Sequence, residues 1–159
     1  MLKRLVLIFF LFVLPVNVLA ENSNLDLKQE NINPGNTLFT LKRLTEKIHE
    51  KVLFSQEKKV TLYERLTVKR LSELNYLVQN KNLTPIEQAS QRLSAQAGVF
   101  VDGLANLEDS ERNQKTLESF SIYKVKLGEL RDNYPANSSY WLLLQQNIDT
   151  FEILSQKIK

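Results

Sequence analysis

The chain has 159 residues, 43% of them hydrophobic and 25% charged, with 21 basic against 18 acidic side chains. It has no cysteine and a single histidine, His49, which excludes disulfide frameworks, thiolate metal sites and cysteine nucleophiles. Setting aside residues 1–20, which hold Lys3 and Arg4 and no acid, leaves 139 residues with 19 basic groups against 18 acidic ones, near neutral and long enough for one domain with one core.

Residues 1–20 read as an export signal. Lys3 and Arg4 precede a greasy run from Leu5 to Val16, and Val18-Leu19-Ala20 supplies small residues before a scissile bond between Ala20 and Glu21. A membrane-spanning helix needs about 20 apolar residues, and here Pro15 and Asn17 cut the run short. The processed protein is therefore expected outside the cytoplasm, secreted or periplasmic. Membrane contact is expected only if this segment stays uncleaved.

Residues 21–33 are polar, rich in asparagine and without sustained period, and read as a flexible leader. After the turn at Pro34-Gly35-Asn36, the residues Leu38, Leu41, Leu44, Ile48 and Val52 step by three or four along one face of a first helix. Ser55 offers the cap of a second, striped by Val60, Tyr63, Leu66, Leu71, Leu74 and Leu77. Thr84-Pro85-Ile86-Glu87 has the pattern of a capping box and opens a third, with Ile86, Ala89, Leu93, Ala97, Phe100, Leu104 and Leu107 on its stripe. Gly98 and Gly103 in that helix point to close approach by a neighbour or to a kink. A fourth helix starts at Asp109 or Ser110 and ends at Pro135. A fifth starts at Asn137 or Ser138 and is striped by Trp141, Leu144, Ile148, Phe151, Leu154 and Ile158. No stretch alternates as a strand. The expectation is an all-α bundle of about five helices with short loops, residues 34–159 forming one domain.

The segment Pro34-Gly35-x-x-Leu38-Phe39-x-Leu41-Lys42-Arg43-x-x-Glu46, followed by Lys58-Lys59 and by Arg70-Leu71-x-Glu73-Leu74, resembles an uncharacterised bacterial domain family of unknown function. The resemblance covers roughly residues 33–105. It implies an extracytoplasmic domain behind a signal peptide or membrane segment, with Pro34, Gly35, Leu41, Lys42, Arg43, Glu46, Arg70, Leu71 and Glu73 in structural roles. It implies no catalytic residues.

Read residue by residue, the chain offers little chemistry. Glu46-x-x-His49 has the carboxylate–imidazole step of helical di-iron sites, but those sites need two histidines and one is present. There is no nucleophile elbow, no Ser-x-x-Lys nucleophile and no glycine-rich phosphate loop. No enzyme activity, cofactor or metal is expected. From Lys42 to Arg70 nine basic residues face Glu46, Glu50, Glu57 and Glu64. The interleaved signs read as a solvated, ion-paired helix face rather than a surface for acidic polymers or phospholipid headgroups, and no nucleic acid is expected. Tyr140-Trp141-Leu142-Leu143-Leu144 are consecutive and apolar, so they wrap the whole helix circumference. With Trp141 and Leu144 assigned to the core, Tyr140, Leu142 and Leu143, joined by Ile153, are either the partner-binding surface for an envelope protein or a second copy, or the other sides of a helix buried nearly all round in the bundle. The functional expectation is an exported, non-enzymatic helical domain acting through protein contacts at the cell envelope. The alternative is an extracytoplasmic bundle binding a small ligand or ion.

Overall fold

Five helices form where the apolar spacing asks for them: α1 (Phe39–Val52), α2 (Gln56–Gln79), α3 (Ile86–Leu104), α4 (Ser110–Arg131) and α5 (Ser139–Ile158). The computed structural model describes Leu25, Leu27 and residues 30–158, and no strand occurs among them. The expected signal segment and cleavage site lie outside the described residues.

Local chemistry fixes most helix starts. The Ser55 hydroxyl accepts from the Lys58 amide, the Asp109 carboxylate accepts from the Arg112 amide at 2.9 Å, and the Ser138 hydroxyl accepts from the Trp141 amide at 3.3 Å, each closing an orphan donor of the first turn. The third start differs from expectation. Thr84 makes no side-chain cap; the Ile86 amide donates instead to the Leu83 carbonyl at 3.2 Å, so a backbone turn replaces the capping box.

α2 through α5 form the core. α2 packs on α3, α3 on α5 and α5 on α4, while α2 touches α4 only lightly, so α2 and α5 stand across the diagonal. Leu71, Leu74 and Leu77 of α2 meet Ile86, Leu93 and Phe100 of α3, with Phe120, Leu127 and Leu130 of α4 and Leu144 and Phe151 of α5 in the same cluster. Each such side chain contributes about 1.5–3 kcal/mol on burial. Phe120 stands at the centre, edge-on to Phe151 with ring centroids 4.8 Å apart and to Phe100 at 6.1 Å. Trp141, placed in the core by its periodicity, is only partly buried.

α1 departs from the amphipathic expectation. Its row Leu38, Leu41, Leu44, Ile48 and Val52 faces outward, each residue more than half exposed, and Phe54 just beyond the helix is 94% exposed. The polar face packs inward instead. Arg70 and Glu73 are almost wholly buried in α2; they pair with each other, and their remaining charge is met from α1 by Glu46 and Lys42. Hydrogen bonds to charged groups contribute about 1.5–3 kcal/mol each, against roughly 1 kcal/mol for covering the exposed half of one aliphatic side chain. Charge therefore decides which face of α1 docks. The same cluster reaches back into the expected leader, since Glu30 takes part in ion pairs and Asn33 is buried.

Candidate functional site

Most of the residues read as family signature meet at one place. From α1, the Lys42 ammonium donates to the Ile32 carbonyl at 2.7 Å and to Glu73 Oε1 at 2.9 Å, and it lies 3.1 Å from Glu30 Oε2. From α2, Arg70 Nη1 donates to the same Glu73 oxygen at 2.7 Å, and its Nη2 donates to Glu46 Oε2. Lys69 stands 3.1 Å from Glu46 Oε1, and Arg43 3.8 Å from Glu46 Oε2. Phe39 completes the contact: the Arg92 guanidinium of α3 lies 5.2 Å from its ring centre and the Lys42 ammonium 5.6 Å, both within cation–π range. Pro34 is buried, and Gly35 takes φ +97, a conformation open to glycine.

Within the solvated, ion-paired face expected over Lys42–Arg70, Lys47, Lys51, Glu57 and Lys58 are exposed, whereas Lys42, Glu46 and Arg70 turn inward and pair between helices, Lys42 reaching Glu73 on α2. Burial works to raise the Glu46 carboxyl, but the charge of Arg70 and hydrogen bonds from Arg70 and Lys69 outweigh it and hold it below the usual carboxylate range. Burial lowers Arg92, opposed by Glu73 and reinforced by the like charges of Arg43 and Arg70. Ion pairs among these groups attach α1, while Arg70 Nε, Glu73 Oε2 and Arg92 Nε and Nη2 are buried without a hydrogen-bond partner.

A cleft of about 730 Å³ runs beside the network between α1 and α2, lined by Glu46, His49, Arg65, Leu66 and Lys69 among others. His49 is exposed at its edge. Among the described residues no three histidine, aspartate or glutamate side chains converge as metal ligands.

The surface expected on α5 is divided by the structure. Leu142 and Ile153 are exposed, 51% and 58%; Tyr140 and Leu143 are partly buried. Tyr140 packs on Tyr134 with ring centroids 5.3 Å apart, and Arg131 of α4 lies 5.0 Å from the centre of the Trp141 ring. Arg131 also donates to Gln145 at 2.6 Å. Tyr134 and Tyr140, and Arg131 and Trp141, thus form two contacts at the junction of α4 and α5, with exposed Leu142 next in the chain. The periodicity assigns Trp141 to the core because it marks a face, whereas exposure at a helix start depends on what the preceding loop covers.

Sequence reasoning passed over one buried polar link. Asn147 is fully buried; its amide donates to the Ser90 carbonyl at 3.0 Å and to Ser94 Oγ at 2.7 Å, and its oxygen accepts from Ser90 Oγ at 2.8 Å. The signal was present as two serines four residues apart beside the α3 stripe and an asparagine among the apolar positions of α5. The link fixes α5 in register against α3.

No described helix is long and apolar enough to cross a membrane. No curated protein and no solved structure matches the chain. Residues 31–155 match the family described as "Domain of unknown function (DUF5667)", and the chain belongs to that family.

Proposed function

We propose that this protein is an exported, non-enzymatic helical domain that acts through protein contacts at the cell envelope of a bacterium. The observation that carries the reading is the junction of α4 and α5, where Trp141, Tyr140 and Tyr134 stand partly exposed beside Arg131 and exposed Leu142. Tryptophan, tyrosine and arginine are the side chains that dominate binding energy at protein interfaces. Export is supported by residues 1–20, whose charge, greasy run and small residues before Glu21 have the order of a cleaved signal. The second reading, a small-ligand bundle, is supported by the cleft between α1 and α2.

An envelope pull-down with the wild-type chain tests the first reading against a Leu142→Ser, Ile153→Ser double variant. Both positions are exposed, so the variant keeps its melting temperature. A stoichiometric protein retained by the wild type and lost from the variant is the expected result. A small molecule or metal that co-purifies in native mass spectrometry, with no stoichiometric protein, overturns it in favour of the second.

A further inference from the structure

We infer that α1 is an interfacial helix whose outer face lies on an anionic lipid surface. This surface is separate from the α4–α5 junction. The row Leu38, Leu41, Leu44, Ile48 and Val52 runs along the outside of the molecule for about 20 Å at the rise of an α-helix. Phe54 extends it and stands almost free of the protein. Soluble helices bury such a row, and α1 turns it outward because its other face is committed to Arg70 and Glu73.

Charge identifies the occupant. Both acids of α1 are turned inward: Glu46 is held by Arg70 and Lys69, and Glu50 accepts from the Tyr63 hydroxyl at 3.0 Å. Lys47 and Lys51 flank the row and are exposed; at the start of α2 exposed Lys58 is offset by exposed Glu57. The exposed side of α1 therefore presents aliphatic groups, lysines, Thr40, Thr45 and His49, with both carboxylates of the helix turned inward. That is the pattern of a helix lying in a membrane interface, where lysine stems follow the acyl boundary and ammonium groups reach the phosphates. A protein-binding ridge is built differently. Lysine is depleted in interface cores, leucine and valine are scarce among interface hot spots, and the row contains no tryptophan, tyrosine or arginine.

The absence of cysteine allows a test read at α1 itself. Val52→Cys, labelled with a polarity-sensitive fluorophore, is mixed with vesicles of neutral phosphatidylcholine or of phosphatidylcholine containing phosphatidylglycerol. Every variant carries the same N-terminus, so any contribution from residues 1–20 cancels. The label is expected to shift to the blue with anionic vesicles and not with neutral ones. Lys47→Glu with Lys51→Glu is expected to weaken that binding about tenfold or more, and Leu44→Ser with Ile48→Ser to weaken it by a similar factor. Both pairs are exposed, and an unchanged melting temperature separates lost binding from lost fold. Equal response to the two vesicle types overturns the inference, as does no response to either. A lipid-free dimer that Leu44→Ser with Ile48→Ser converts to monomer also overturns it, and assigns the face to a second copy.

Discussion

Gly98 and Gly103 lie five residues apart on α3, yet a methyl group added at each would meet different surroundings. Nothing stands within 4 Å of a Cβ at Gly98, whereas one at Gly103 would lie 3.1 Å from Val60 Cγ2 and 3.2 Å from Tyr63 Cδ2. Glycine in a helix interior is about 1 kcal/mol less favourable than alanine. Gly98→Ala should therefore raise the melting temperature by roughly 3–5 °C. Gly103→Ala should give no gain or a loss, because α2 has to move by a few tenths of an ångström to admit the methyl. Thermal unfolding of the two variants checks this, and an equal rise in both would show that α2 yields freely. The sequence supports close approach at both positions alike, since period reports direction from the helix axis and not the distance to the next helix. Gly103 fits that expectation and Gly98 does not.

Among the elements, the stripes of α2 to α5 were legible because those helices bury one apolar face against another. Val60, Leu74, Leu93, Ala97 and Phe151 all lie where spacing alone puts them. The helix ends were less legible. After α2 the Asn82 amide donates to the Leu77 carbonyl at 2.9 Å and the Lys81 amide to Val78 at 3.1 Å, a Schellman closure with Lys81 in the left-handed region at φ 53. Sequence gives no warning of this, because glycine or asparagine is the usual occupant. Lys81→Gly should stabilise the protein by about 1 kcal/mol, relieving the Cβ strain of that conformation. Asn137, also left-handed at φ 62, should gain less from the same change because asparagine tolerates it. Chemical denaturation of the two variants measures the difference, and an equal gain would place the strain elsewhere. α1 was legible as a helix but not in its orientation. Its apolar row predicts burial, and only the partners of Arg70 and Glu73, distant in sequence, reverse it.

At the scale of the whole molecule, a bundle held by apolar contact carries a helix held mainly by charge. Glu46 titrates below its ordinary range in the folded chain, so the stability it lends is complete at neutral pH. That stability is lost as the pH falls through the lowered value. Acid should therefore release α1 while the aromatic core of α3, α4 and α5 persists. A label on α1 and the emission of Trp141 on α5 should report two transitions, the label first. Coincident transitions would show that α1 and the core unfold as one unit. Lys42, Arg43, Glu46, Arg70 and Glu73 meet at this joint while Leu41 faces outward and Leu71 lies in the core, and no spacing rule connects Glu46 to Arg70 before the chain is folded. The joint also sets how the molecule comes apart. Because α1 covers little grease beyond Leu62 and Leu66, its detachment leaves the aromatic core closed and exposes little new surface to denaturant. Its amides should exchange with solvent at a free energy well below that of the core, and salt, which screens the pairs holding it, should quicken that exchange more than it does elsewhere in the bundle.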